Sequence, residues 1–185
     1  MSLLAAASWA QAEVLVYKVD PVHSGVNFKV RHFLNQVPGA FQNFTGEIHF
    51  DKDHPEKSKV VGEIQVASVD TRNSDRDAHL QNEDFFNAPK NPTITFESTK
   101  WEQDDDDKDE FKVTGNLTMA GVTKQVTLDL EYLGEMEGRN GQMVSGWEAE
   151  TKIKRSDWGI TYGSGMVGDE VEIELNIQAK RGGEK

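Results

Sequence analysis

The chain has 185 residues, carries 32 acidic and 20 basic side chains for a net charge of -12, and contains no cysteine. The acidic balance argues against a nucleic-acid partner, because phosphate binding requires concentrated lysine and arginine. The same charge predicts repulsion from anionic membrane surfaces, so a lipid partner would be held inside the protein. The lack of cysteine excludes thiolate catalysis, zinc–thiolate sites and disulfides.

The first twelve residues have features of an export signal. Leu3 to Ala7 is a short apolar run, and Ala10-Gln11-Ala12 has the small-x-small form of a cleavage site before Glu13. A basic n-region is missing, and a tag remnant is the alternative. Residues 1–12 are therefore predicted to be a remnant of an export signal or tag. Residues 13–185 are predicted to form a single domain of a periplasmic or otherwise exported protein.

Beyond these residues, apolar and polar side chains alternate along almost the whole chain, which predicts half-buried strands. The apolar rows are Val26/Phe28/Val30, Ile48/Phe50, Val60/Ile64/Val66, Ile94/Phe96, Phe111/Val113/Leu117/Met119, Val126/Leu128/Leu130, Trp147/Ala149/Ile153 and Val171/Ile173/Leu175/Ile177. About eight strands with short connections predict an antiparallel sheet with one wet face, which has to close or pair with a second sheet. We expect an all-β, eight-stranded antiparallel barrel with room for a ligand; a sandwich is the alternative.

One stretch, Thr71 to Pro92, interrupts this rhythm. Ser74 is expected to cap a short helix, with Asp77 three residues on in the capping-box position. Pro89 and Pro92 return the chain to extended structure, so a short helical segment is predicted over about residues 73–87. Its apolar side chains Leu80, Phe85 and Phe86 predict that the segment covers an apolar cavity.

Several blocks of residues, taken in order, carry a family resemblance. They are His23-Ser24 with 28–32 (FKVRH), 39–41 (GAF), 68–71 (SVDT), 77–80 (DAHL) with 84–86 (DFF), 92–98 (PTITFES), 115–123 (GNLTMAGVT) and 155–160 (RSDWGI). In these blocks, which span about Tyr17 to Ala179, the chain resembles the YceI-like family. Two departures are Asn91, where an aromatic residue or histidine commonly precedes the proline, and the run Asp104 to Lys108, which lengthens a hairpin.

The resemblance implies a lipocalin-like barrel whose elongated pocket takes a long-chain lipid, commonly a polyisoprenoid. It also implies a bacterial, usually periplasmic protein that is often dimeric and has no settled enzymatic activity. No cofactor is expected other than the bound polyisoprenoid or quinone-type lipid.

The ligand-binding wall is predicted from the inward rows and the interrupting segment, with Phe41 and Trp158 added from the blocks that carry the resemblance. Its members are Phe28, Val30, Phe41, Ile48, Phe50, Ile64, Val66, Leu80, Phe85, Phe86, Phe96, Leu117, Leu128, Trp147 and Trp158. Alternation alone leaves a filled core as the alternative, since barrels of this size can be packed solid. By their positions in or beside the blocks that carry the resemblance, His32, Arg72, Asp77, His79 and Arg155 are predicted to form a polar rim that orients a head group.

Five histidines raise the question of a metal site, but none shows metal-ligand spacing such as H-x-x-x-H, so no metal is expected. His32, Asp77 and His79 are instead expected to form a buried hydrogen-bond network that holds the segment to the barrel. The arginines of the rim would face a head group or pair with neighbouring carboxylates, and the two readings stay open. Ser24 and His23 are expected to lie side by side on a strand and to face opposite sides, so no catalytic relay between them is predicted.

The leading hypothesis is a non-enzymatic protein that binds, stores or transports a long isoprenoid-type lipid, polyprenyl or quinone, in an internal tunnel. The alternatives are a lipid-modifying enzyme or stress factor using His32, Asp77 and His79, a fatty acid or amide binder, and a barrel with a filled core. A long-chain lipid and a second copy of the chain in a homodimer are the partners predicted. The sequence identifies neither the head group nor a delivery partner.

Overall fold

The alternating rows form eleven strand segments in the computed structural model, which describes residues 14–182. In chain order they are β1 (Leu15–Val19), β2 (Gly25–His32), β3 (Asn35–Phe41), β4 (Phe44–Phe50), β5 (Lys59–Gln65), β6 (Val69–Asp70), β7 (Thr93–Gln103), β8 (Glu110–Met119), β9 (Val122–Glu137), β10 (Met143–Lys154) and β11 (Val167–Arg181). One α-helix, α1 (Ser74–Leu80), and short 3₁₀ turns join them. The predictions for residues 1–12 lie outside the described residues. None of the helices in the described range is long and apolar enough to cross a membrane.

Six of the segments are halves of broken strands. The turn Pro21–His23 separates β1 from β2, residues 42–43 separate β3 from β4, and the turn Val66–Ser68 separates β5 from β6. Both β1 and β2 pair with β11 on one side. On their other side, β1 pairs with β4 and β2 pairs with β3. The next pairings are β4 with β5 and β3 with β6. The eleven segments thus make eight antiparallel strands, and the β1–β11 pairing closes them into a barrel. The predicted eight-stranded barrel is confirmed.

The up-and-down order gives the barrel two different ends. One end, called the mouth, carries the β2–β3 turn, the segment 71–92, the β8–β9 turn and the loop 155–166. The other end, called the base, carries the loops 51–58, 104–109 and 138–142. The inward-facing residues of each strand therefore lie at successive heights between the mouth and the base.

Aromatic side chains fill the base end. Phe50 lies at their centre, with ring centroids 5.0 Å from Trp147, 5.2 Å from Tyr132, 5.9 Å from Phe111 and 6.2 Å from Trp101. All of them are buried. Offset and edge-to-face pairs of this kind add about 0.5–1.5 kcal/mol each beyond the burial of their area. The base of the barrel is thus closed by packed rings.

The predicted short helix is confirmed, but its cap lies one residue earlier than expected. Asn73 accepts the backbone N–H of Arg76 on its side-chain oxygen at 2.9 Å, so Asn73 and not Ser74 is the N-cap. Asp77 consequently does not stand in the capping-box position, and its carboxylate is free to accept from Thr71. The helix ends at Leu80, whereas the predicted helical segment extends to about residue 87. Beyond Leu80 the chain continues in hydrogen-bonded turns to Lys90.

Candidate ligand cavity

A cavity of about 460 Å³ occupies the barrel between the aromatic base and the segment 71–92. Its volume is within the range of small-molecule sites, which run from about 300 to 1,000 Å³. The inward rows line it with aliphatic and aromatic side chains, and the polar side chains of His32, Arg76 and His79 line it at the mouth. Eleven of the predicted wall residues line this cavity: Phe28, Val30, Phe41, Ile64, Leu80, Phe85, Phe86, Phe96, Leu117, Leu128 and Trp147.

Two glycines explain how large rings can lie on the wall without filling the space. A Cβ atom at Gly39 would lie 2.2 Å from Cζ of Phe28, and one at Gly115 would lie 2.4 Å from Cζ of Phe96. Both distances are far inside van der Waals contact, so each ring occupies the place where a neighbouring side chain would stand. The rings therefore lie back against the sheet and leave the centre of the barrel open.

Trp147 belongs both to the cavity wall and to the aromatic base, so it forms the floor of the cavity. Its indole N–H donates to Oγ of Ser145 at 2.9 Å, and the Ser145 hydroxyl donates to the carbonyl of Ala179 at 3.2 Å. With its polar edge satisfied, the indole presents only apolar surface upward. Across residues 14–182, every buried side-chain nitrogen and oxygen has a hydrogen-bond partner.

The segment 71–92 covers part of the mouth. Phe86 packs against Phe41 inside the barrel with ring centroids 5.9 Å apart. Nearer the surface, the His79 ring contacts Phe85 at 5.1 Å and Tyr162 at 4.9 Å. The Nε2 atom of His79 is also 2.9 Å from a carboxylate oxygen of Asp84, so a polar pair stands at the edge of an apolar opening.

Thr71 anchors the start of this segment. Its backbone N–H and hydroxyl both donate to Oδ1 of Asp77, at 2.8 and 2.5 Å. Arg76 closes the group by donating to the Thr71 hydroxyl and carbonyl, each at 2.7 Å. Arg76 also lines the cavity, so a cation is held next to the mouth by contacts within its own segment.

Comparison with known proteins identifies the family. A family model described as the YceI-like domain matches residues 17–179. The chain belongs to the YceI-like family. A UPF0312 protein of Azotobacter vinelandii is 37% identical over 181 residues, which cover 97% of this chain and 93% of that protein.

Solved structures of other proteins share the barrel. The YceI protein of Campylobacter jejuni is 36% identical with a TM-score of 0.74, covering 80% of this chain and 87% of its own. A polyisoprenoid-binding domain from Saccharophagus degradans has a TM-score of 0.66 over 91% of this chain and 99% of that domain. Its sequence identity of 13% means that this likeness shows the fold alone.

Four predicted wall residues do not line the cavity. Ile48 and Phe50 are packed in the base cluster, below the floor. Val66 belongs to the turn that breaks β5 from β6, and it is fully buried in the packed core near the mouth. Trp158 lies in the turn Arg155–Trp158, where its indole N–H donates to the carbonyl of Leu117 at 3.1 Å. These side chains support the wall from behind or below.

The predicted polar rim divides in two. His32 and His79 line the mouth of the cavity, but Asp77 is bonded to Thr71 and His79 to Asp84. The expected network of His32, Asp77 and His79 is therefore wrong, because the helix directs Asp77 back toward the strand that precedes it. Arg72 is exposed outside the cavity, with a left-handed φ of 61°.

Arg155 has a structural role that sequence reasoning missed. Its guanidinium donates to the carbonyls of Gly168, Ile160, Tyr162 and Val167 at 2.8–3.0 Å. Burial lowers the pKa of the guanidinium. Since backbone carbonyls take four of its five N–H donors, Arg155 shapes the loop at the mouth, and its hydrogen bonds are not to a neighbouring carboxylate.

Several mouth residues were absent from the predicted set, among them Tyr162 and Met166. Both line the opening, and both belong to the glycine-rich stretch 159–168 (GITYGSGMVG). That stretch has no alternation, so a search for strand rows passes over it; its run of glycines beside apolar residues was the available signal. Within the described range, no group of three or more His, Asp or Glu side chains is arranged to hold a metal ion.

Proposed function

We propose that this protein binds a single long isoprenoid-type lipid, polyprenyl or quinone, in the barrel cavity and stores or transports it without chemical change. The observation that carries the proposal is the apolar cavity of about 460 Å³, open at the mouth and closed at the base by Trp147. Each methylene that moves from water into such a site contributes about 0.8 kcal/mol, so a long chain would be held tightly. The YceI-like barrel, shared with a polyisoprenoid-binding domain, supports lipid binding.

The polar groups at the mouth are suited to orienting a head group. Arg76 offers a cation, and His79 with Asp84 offers a donor–acceptor pair next to the aromatic rings of Phe85 and Tyr162. An enzyme built on His32, Asp77 and His79 has less support, since Asp77 and His79 are each engaged elsewhere. Export to the periplasm and a homodimer stay predictions.

The test is to purify the protein from a bacterial host and to compare its mass under native and denaturing conditions. We expect a mass difference that corresponds to one long-chain lipid, identified after extraction. The delipidated protein should then take up a fluorescent isoprenoid analogue and release it to an excess of unlabelled chain. A protein that carries no lipid and takes up no analogue after delipidation would overturn the proposal. Turnover of the bound lipid to a new product would favour an enzyme.

A further inference from the structure

Four apolar side chains are exposed at one side of the mouth. Phe33 and Leu34 form the tip of the β2–β3 turn and are 59% and 90% exposed, and Tyr162 and Met166 stand exposed on the adjoining loop. The backbone N–H of Phe33 donates to the carbonyl of Met166 at 2.8 Å, which joins the two loops. Phe33 has a left-handed φ of 50°, a conformation that is uncommon for a bulky residue. We call Phe33, Leu34, Tyr162 and Met166 the apolar rim.

The apolar rim is continuous with the cavity. Tyr162 and Met166 line both, and His32, which precedes the tip, lines the opening as well. A chain that leaves the cavity on this side would therefore pass from one apolar surface to the next. If the rim is in contact with a bilayer, a long lipid can enter or leave the barrel with little of its length exposed to water.

Charge distinguishes this end of the molecule from the rest. No Asp or Glu occurs from Pro21 to Gly46, and no charged residue occurs from Trp158 to Gly168, although the chain carries 32 acidic side chains. At the base, residues 102–110 contain seven carboxylates and one lysine. The segment 71–92 carries four carboxylates and three cations, so it is close to neutral, in contrast to the base. Asp77 and Asp84 are bonded within the segment, whereas Asp75 and Glu83 are exposed.

Such a separation of charge orients a protein near a charged surface. An anionic bilayer repels the acidic base and accepts the rim, where exposed Arg31 and His32 flank the tip. The net charge of -12 alone predicts repulsion from such a membrane. Its distribution instead predicts contact at the mouth only.

We propose that the apolar rim docks this protein on the surface of an anionic phospholipid bilayer, with Phe33 and Leu34 inserted among the head groups, and that the cavity loads and unloads its lipid there. This inference rests on the proposed function, because it gives the lipid its route. The partner that we propose for the apolar rim is the bilayer itself. A second copy of the chain would cover the same rim in a dimer, and the experiment distinguishes the two.

The experiment is flotation with vesicles of phosphatidylethanolamine and phosphatidylglycerol, compared with vesicles of phosphatidylcholine alone. The test variant is Phe33→Asn/Leu34→Gln, in which asparagine suits the left-handed φ. The matched control is Leu133→Gln/Met136→Gln on β9 toward the base, where the two side chains are 53% and 69% exposed. We expect the unaltered protein and the control to float with the anionic vesicles, and less so as salt rises.

The test variant should lose binding by about tenfold or more, the factor associated with one apolar side chain that no longer leaves water. It should keep its co-purified lipid, measured by mass spectrometry, because neither substituted residue lines the cavity. Equal binding of the test variant and the unaltered protein would overturn the inference. The inference would also be overturned if light scattering shows that the unaltered protein is a dimer and the test variant a monomer, and neither protein binds vesicles.

The two proposals fail in different ways. Retained lipid without vesicle binding removes the docking inference alone. Vesicle binding that depends on Phe33 and Leu34, in a protein that never holds lipid, removes the proposed function and leaves the docking surface standing.

Discussion

Gly39→Ala is expected to narrow the cavity from one wall. Gly39 pairs with Phe28 across β2 and β3, and an added Cβ would lie 2.2 Å from Cζ of that ring and 2.8 Å from both Cε atoms. The three atoms nearest to the new methyl group all belong to this ring. Because the obstacle is a side chain and not backbone, the protein can still fold with the ring displaced.

The magnitude of the effect follows from the distances. Carbon atoms rest about 3.5–4.0 Å apart, so the Phe28 ring has to move by roughly 1.5 Å, and the open side available to it is the cavity. Overpacking of this kind costs about 1–3 kcal/mol of stability, and each kcal/mol lowers Tm by roughly 2–4 °C in a domain of this size. A ring that displaces two or three methylene groups of a bound chain would weaken binding by about 2 kcal/mol, or roughly thirtyfold.

The assay is a titration of delipidated protein with a fluorescent isoprenoid analogue, with thermal unfolding measured in parallel. Gly62→Ala is the matched control: Gly62 also lines the cavity, and its added Cβ meets only the carbonyl of Thr45 at an ordinary 3.7 Å. In the double variant Gly39→Ala/Phe28→Ala, the clash is removed and binding should recover part of the loss. Binding by Gly39→Ala equal to that by Gly62→Ala would refute the idea that Phe28 lies back into space that glycine provides.

Three further changes test the wall, the mouth and the strand junction. Phe96→Asp places a carboxylate on the cavity wall, and a bound chain would desolvate it. Co-purified lipid, measured by mass spectrometry, should therefore disappear in this variant and remain in Phe96→Leu. Lipid in a folded Phe96→Asp protein would contradict the position of this ring. In Arg155→Lys, the lysine side chain cannot reach all four carbonyls, and each carbonyl left buried and unpaired costs about 1–3 kcal/mol. The midpoint of urea unfolding should therefore fall clearly. An unchanged midpoint would contradict the role of the guanidinium. Lys180, His23 and the backbone N–H of Val22 lower the pKa of Asp20 from 3.8 to about 2. A lowered pKa stabilises the fold above the unfolded value and loses that effect as pH falls through the folded value. The stability difference between the unaltered protein and Asp20→Asn should therefore shrink between pH 4 and about pH 2, and a difference that grows toward acid would refute this assignment.

The barrel could be predicted from the sequence because each strand buries one face, and alternation reports which face that is. Phe96, Leu117 and Leu128 line the cavity as their rows predict. Alternation does not report the height of a residue along the barrel axis. Phe50 has the same inward orientation, but its strand ends at the base, where the rings of Trp101, Phe111 and Tyr132 surround it. The same signal therefore marks both cavity wall and packed floor.

The polar groups of the mouth were harder to predict, since their partners are mostly backbone atoms or near neighbours. Arg155 bonds carbonyls of the stretch 160–168, which show no side-chain signal. Asp77 bonds Thr71 because the cap is at Asn73, a shift of one residue that changes which way the carboxylate points. The pair of His79 and Asp84 is separated by only five positions, and such a short spacing was within reach of the sequence.

The closed base has a consequence for selectivity. If the cavity has one opening and a floor at Trp147, a bound chain would enter tail first, and the position of Trp147 would limit how deep its end can reach. A tail shorter than the cavity would leave empty volume above the floor, whereas a longer tail would have its last units and head group outside the barrel. Such a cavity would select lipids by the length of the tail, in addition to any contact that the head group makes at the mouth. A smaller side chain in place of Trp147 would increase the tail length that the cavity accepts.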